Sequence, residues 1–250
     1  MSVRRCAQLA AWGSAWLSGS VPFDDVLDAV AGTRRDIAGP GFQTSELGPV
    51  GTALTDWRRA GAQCLRLALP IPGDVRGLTG TTEFRRIALD AGQVVYGSDF
   101  AITVITSPMT PSSAERTAIW HRSPAGEPPP DPLSLAEAEH DLSEAIRETA
   151  STFARRGSTS WLTDISPALS DARRAGERLD LPASHPPRGV RLVAQAERLS
   201  AVLSVVDTDV TGEINAAGMA ERTVALAPLR LAVRRALLAG YNAAAEMADS

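Results

Sequence analysis

Side chains able to move protons, attack carbonyls or hold metals are sparse in this 250-residue chain. All 25 basic residues are arginine, which excludes a Schiff-base lysine, a pyridoxal-phosphate anchor, a Walker A or kinase-type lysine and a Ser-Lys dyad. Coding bias toward Ala, Arg, Gly and Pro accounts for the missing lysine well enough, and the exclusion holds whatever the cause. Acid-base work falls to three histidines, His121, His140 and His185. Glu137-x-x-His140 has the spacing of di-metal helical bundles, yet at about 100° per residue His140 lies opposite the apolar stripe of its helix and is expected in solvent. No second Glu-x-x-His occurs to complete such a centre. His185, just before Pro186-Pro187, reads as structural. Cys6 and Cys64 form no CxxC, and one pair of thiols makes no disulfide framework, which suits a reducing compartment. Gly13-Ser14, Gly97-Ser98 and Gly157-Ser158 lack the second glycine of a nucleophile elbow, and no HExxH is present.

The densest group of candidates is the loop Pro70-Ile-Pro-Gly-Asp-Val-Arg-Gly-Leu-Thr-Gly-Thr-Thr82, between a strand and a helix. Ligands gather at the carboxyl ends of strands, and helix N-termini attract anions. Gly73, Gly77 and Gly80 would let backbone approach a ligand, and Asp74 and Arg76 supply charge. Arg66 on the preceding strand, Asp99 in a later turn and His121 at the end of a fourth strand complete the candidate ligand- or partner-binding set. Against a phosphate site, no GxGxxG or GxxxxGK[ST] spacing occurs, and Glu83 sets negative charge where the phosphate would sit. A long surface turn is the plainer expectation.

A second motif, Asp207-Thr-Asp-Val-Thr-Gly-Glu-Ile-Asn-Ala-Ala-Gly218, resembles the calcium loop of the EF-hand family over these 12 residues alone. Asp207, Asp209 and Thr211 match the first three ligand positions, Gly212 the turn and Ile214 the apolar position. The resemblance implies a calcium site, but Gly218 stands where the family carries a bidentate glutamate. An acidic helix–helix connection without a tight metal site is therefore expected.

The elements that would position these residues follow from periodicity and punctuation. Helices are predicted over Val3–Leu17, Pro22–Ala31, Glu46–Ala60 and Glu83–Ala91, with Arg34–Ser45 a loop. Strands are predicted over Gln63–Leu69, Gln93–Tyr96, Ala101–Thr106 and Glu115–Arg122. The first strand alternates Cys64, Arg66 and Ala68 against Leu65, Leu67 and Leu69, a half-buried pattern. Its crossover through a helix predicts one parallel pair, and the later hairpins predict antiparallel ones. Five prolines between Pro124 and Pro132 then break the pattern. Beyond them Ser134-x-x-Glu137 is a capping box opening a helix with Leu135, Ala138, Leu142, Ala145, Thr149 and Phe153 on one side. A short helix over Ser166–Arg174, one over Pro187–Val206 near a heptad seam, and a long one over Ile214–Ala248 follow, with a kink or break expected near Ala225 ahead of Pro228.

The expected class is α+β: a small mixed sheet with flanking helices over residues 1–122, a Pro-rich linker over 123–133, and an all-helical bundle or array over 134–250. Net charge is −4, with 12 arginines against 11 acids before residue 126 and 13 against 18 after it. Neither half carries the basic field that nucleic-acid phosphates require. The N-terminal segment lacks the compact apolar core of a signal peptide, and the longest uncharged run, Phe100–Ala114, is too short to span a bilayer. A cytoplasmic chain without cofactor, nucleic-acid partner or membrane is expected. The favoured function is a non-catalytic interaction or regulatory protein with a protein partner. The alternatives are a small-molecule hydrolase or transferase with its site on the Pro70–Thr82 loop and, more weakly, a calcium-responsive helical module.

Overall fold

The computed structural model describes residues 4–31, 47–108, 116–126, 133–155, 179–208 and 216–248. The chain forms two compact units. A sheet unit joins residues 2–132 with 180–186 and 241–250; a helical unit is built from 133–179 and 187–240. The class is α+β, as the patterning indicates.

In the sheet unit, α1 (Arg4–Leu17), α2 (Phe23–Ala31) and α3 (Gly48–Arg59) precede β1 (Arg66–Ala68). Then come α4 (Thr82–Ala91), β2 (Val94–Tyr96), β3 (Phe100–Pro108) and β4 (Arg116–Pro124). The strands lie in the order β1-β2-β3-β4, and every neighbouring pair is antiparallel. The expected parallel β1–β2 pair is thus corrected. Ala68, the end of β1, sits opposite Val94, the start of β2, so the chain leaves and returns at the same end of the sheet. The connection from Leu69 to Thr81 is long enough to run back along the sheet before α4 travels forward again. A parallel crossover needs only a short loop and the helix.

One sheet face packs against α4 through a cluster of Ala68, Phe84, Ala88, Val94, Tyr96, Ala101 and Ala125. The other face receives α1 and α3. Trp57 stacks on Phe100 with centroids 4.6 Å apart and its indole N–H donates to the Phe100 carbonyl at 3.2 Å. Gly97 makes room for that ring: a β-carbon there would lie 2.1 Å from Trp57. β1 departs from the half-buried expectation, since Leu65, Arg66, Leu67, Ala68 and Leu69 are all buried. The cause is that its outer edge is covered as well as its faces. Ser14 Oγ accepts from the Leu65 N–H at 2.9 Å while its own proton goes to the Ala10 carbonyl at 2.7 Å, with the Leu65 carbonyl 3.3 Å away. The Asn242 side chain accepts from the Leu67 N–H at 2.7 Å and donates to the Leu67 carbonyl at 2.9 Å.

The helical unit holds α5 (Leu135–Arg155), α6 (Pro187–Thr208) and α7 (Ala216–Ala248), whose final residues belong to the sheet unit. The capping box forms: Glu137 accepts from the Ser134 N–H at 2.8 Å, and its own N–H donates to Ser134 Oγ at 3.3 Å. Ala138, Leu142 and Ala145 are buried on the expected side of α5. α6 and α7 approach closely at Gly240, where a β-carbon would lie 2.5 Å from Val193. α7 runs through Pro228 without the expected break. Pro228 is exposed and so is Val224, the residue whose carbonyl loses its donor, so water can satisfy it. Arg230 also reaches back to the Thr223 carbonyl at 3.4 Å. The loop expected over 34–45, the helix over 166–174 and the prolines of 127–132 lie outside the described residues. Among the described residues, no helix is long and apolar enough to cross a membrane.

Candidate functional site

The Pro70–Thr82 loop is built from its turns upward. Ile71 and Asp74 exchange two backbone hydrogen bonds of 2.9 Å each, closing a tight turn with Gly73 at φ +88. Left-handed backbone of this kind is open to glycine at little cost. Arg76 then folds onto Asp74, its Nε donating to Oδ1 at 2.9 Å and its Nη2 to Oδ2 at 2.7 Å. This fork-to-carboxylate pairing fixes both side chains and neutralises both charges. Further along, the Thr79 N–H donates to the Tyr96 hydroxyl at 3.0 Å, and that hydroxyl donates to the Thr79 carbonyl at 3.3 Å. Thr79 Oγ1 reaches the Gly126 carbonyl at 3.0 Å. Burial pushes the Tyr96 hydroxyl above its ordinary titration range, so it serves as a neutral tether rather than a base.

The loop ends in α4, whose first turn already has a capping acceptor and an acidic side chain. Thr81 caps the helix by accepting from the Phe84 N–H at 3.2 Å, and Glu83 stands in the first turn. Beside the exposed Arg76, Thr81 and Thr82, the loop also exposes apolar side chains: Ile71 is 36% and Val75 45% accessible.

The remaining sequence candidates occupy separate places. Arg66 is buried in β1 opposite Tyr96. Asp99 lies exposed in the β2–β3 turn, where its carboxylate accepts from Ser98 Oγ at 3.2 Å. His121 sits opposite Thr103, four residues along β3 from Asp99, which is about 13 Å of extended chain. Asp99 and His121 therefore do not share a centre. His140 is exposed, 3.8 Å from Glu144, and His185 is buried with its backbone N–H donating to the Pro182 carbonyl. Asp207 falls in the last turn of α6, while Asp209 and Thr211 lie outside the described residues. Among the described residues, no group of three or more His, Cys, Asp or Glu side chains is placed to hold a metal ion. Burial pushes the Cys6 thiol far above its ordinary range, which leaves it unreactive.

Sequence reasoning alone does not single out Asn242 or Asp56. Asp56 accepts from Arg122, whose guanidinium lies 3.5 Å over the Phe100 ring, so an ion pair joins α3 to β4 and a cation–π contact joins β4 to β3. Both residues depend on contacts far apart in the chain, and no local spacing announces them.

Residues 6–134 match the family model described as the N-terminal domain of Rv1486c-like proteins, and residues 136–238 match that for the C-terminal domain. The uncharacterised protein Rv1486c of Mycobacterium tuberculosis (strain H37Rv) is 26% identical, over 94% of this chain and 95% of its own length. The uncharacterised protein ML1804 of Mycobacterium leprae is also 26% identical over the same shares. A third relative, the uncharacterised protein MAV321 of Mycobacterium avium, is 25% identical over 79% of this chain and 77% of its own. No solved structure matches the chain. With both domain models matched in order, the chain belongs to the Rv1486c-like protein family.

Proposed function

We propose that this protein is a cytoplasmic, non-catalytic interaction or regulatory protein that engages a protein partner through the Pro70–Thr82 loop. The observation that supports this reading is a loop held rigid by its own hydrogen bonds while Ile71 and Val75 point outward. A side chain already ordered before binding loses less entropy when it docks, so a rigid apolar tip suits a pocket on a partner. Asp74 and Arg76 pair with each other beside that tip, so covering them costs less than covering a lone charge would. The acidic net charge of −4 favours a protein surface over nucleic acid.

The test is affinity capture from the native cell with the full chain and an Ile71→Asp/Val75→Asp variant of unchanged circular dichroism. A partner retained by the first and lost by the second is expected. The purified protein is also screened for turnover of esters, phosphoesters and nucleotides. Reproducible turnover lost in Asp74→Ala or His121→Ala, with the fold intact, would replace this reading with that of a small-molecule enzyme.

A further inference from the structure

β1 is a short edge strand. It pairs with β2 over Arg66–Ala68 alone, whereas β3 and β4 pair over nine residues each. The N–H and the carbonyl of Leu67 both bond to Asn242, so both point away from β2. Alternation then leaves Arg66/Tyr96 and Ala68/Val94 as the hydrogen-bonded pairs facing β2. A strand held by so few ladder bonds frays readily unless its outer side is also fastened. Asn242 supplies that fastening. Its side-chain amide offers the same carbonyl and N–H as a backbone peptide, and it takes the place of a further strand at 2.7 Å and 2.9 Å. Leu67 is 2% and Asn242 8% accessible, so water has little access to replace the amide.

The Pro70–Thr82 loop is seated on this strand. Its outgoing leg leaves β1 directly through the buried Leu69 and Pro70. Its return leg comes back onto β1: a β-carbon on Gly77 would lie 3.3 Å from that of Ala68, and Leu78 packs against the cluster that contains Ala68. The Ile71–Asp74 bonds and the Arg76–Asp74 fork tie the tip to itself, which fixes its shape rather than its direction. Thr79, through Tyr96 and Gly126, anchors the return side. The direction of the outgoing side comes from β1. We infer that Asn242 is a positioning residue of the docking loop: from the last turns of α7 it holds β1 in place, and so fixes the base from which Ile71 and Val75 are presented. This rests on the reading of the loop as a docking element and adds what controls it. All the groups involved lie within the sheet unit, to which residues 241–250 belong. An ordered base lowers the entropy lost when the tip docks, so freeing β1 weakens binding without touching either apolar side chain.

Amide hydrogen exchange of the full chain, read by mass spectrometry, tests the positioning. In Asn242→Leu, the amides of residues 69–79 are expected to exchange at least about tenfold faster, in excess of any acceleration in β3 and β4. A merely structural role would accelerate the loop and the β3–β4 pair by the same factor, and that outcome would overturn the proposal. Ser14→Ala, which removes the acceptor of the Leu65 N–H at the far end of β1, is expected to produce no such excess. Equal release of the loop by Ser14→Ala would overturn the proposal too. Should Asn242→Leu fail to fold, Asn242→Ser decides, because the space it opens admits water to Leu67. Carried through the affinity capture, Asn242→Ser should retain less of the partner that the native chain retains, and equal retention counts against the positioning. The two readings fail separately. An Ile71→Asp/Val75→Asp variant that keeps its partner removes the docking role and leaves the exchange result standing, whereas loop exchange that tracks β3 and β4 removes the positioning and leaves docking intact.

Discussion

Asn242 makes the sharpest single-residue statement about stability. Its amide gives one acceptor and one donor to Leu67, and all three groups are buried. Replacement by Leu keeps the volume but leaves a buried N–H and a buried carbonyl unpaired, each a desolvation cost rather than a lost bond alone. Asn242→Leu should therefore destabilise the sheet unit by about 2–6 kcal/mol, read from chemical denaturation midpoints. Gly97 offers a contrasting case, because its importance lies in absent volume. A methyl group there must displace Trp57 from its stack on Phe100, so Gly97→Ala is expected to cost about 1–3 kcal/mol by overpacking. An unchanged melting temperature would show that the ring moves aside freely. Neither residue stands out in the sequence. Asn242 sits in an alanine-rich helix and Gly97 in what reads as an ordinary turn, and both matter through neighbours remote in the chain.

Elements whose signals are local were legible. The Ser134–Glu137 box forms where the spacing places it, and Ser134→Ala should cost about 1 kcal/mol of helical-unit stability. Its hydrogen bonds from Ser134, side chain first and then backbone, hold the Glu137 carboxyl below its ordinary value. In the same unit Arg188 donates to Glu139 at 2.6 Å and 3.0 Å and lowers that carboxyl likewise. A carboxyl whose folded value is depressed contributes stability that is complete above its unfolded value, near about pH 4.3, and is lost as pH falls through the folded one. Melting curves from pH 7 downward should thus show the deficits of Ser134→Ala and Arg188→Ala shrinking below that point. A deficit constant to pH 3 would mean that neither carboxylate matters. The direction of β1 was not legible, because strand–helix–strand order reads as a parallel crossover while antiparallel return depends on the path of the Leu69–Thr81 connection. The burial of Arg66 was hidden for a related reason. Alternation reports a strand's two faces, and what covers its edge comes from α1 and α7.

At the scale of the whole molecule, the division into a sheet part and a helical part was visible in composition and period, but the return of the chain was not. Residues 180–186 and 241–250 belong to the sheet unit although they lie far beyond the proline cluster. They carry specific contacts there: the Asp180 carbonyl accepts from the Trp12 indole at 3.2 Å, and Asn242 closes the edge of β1. Tyr241, Ala243 and Ala245 are buried beside them. A fragment ending at residue 132 would keep every described strand and α1 to α4 yet lose these groups together. At its β1 edge the Leu67 N–H and carbonyl would lose the Asn242 amide, and the Trp12 N–H would lose the Asp180 carbonyl. Each loss is of the order of 1 kcal/mol or more, set against a total of about 5–15 kcal/mol for a folded domain. The fragment 1–132 is therefore expected to show secondary structure by far-ultraviolet circular dichroism but a broadened, low-temperature melt. Full-length Asn242→Leu should fall between the fragment and the native chain. A fragment that melts as sharply and as high as the full chain would mean that the C-terminal residues rest on the sheet unit without supporting it.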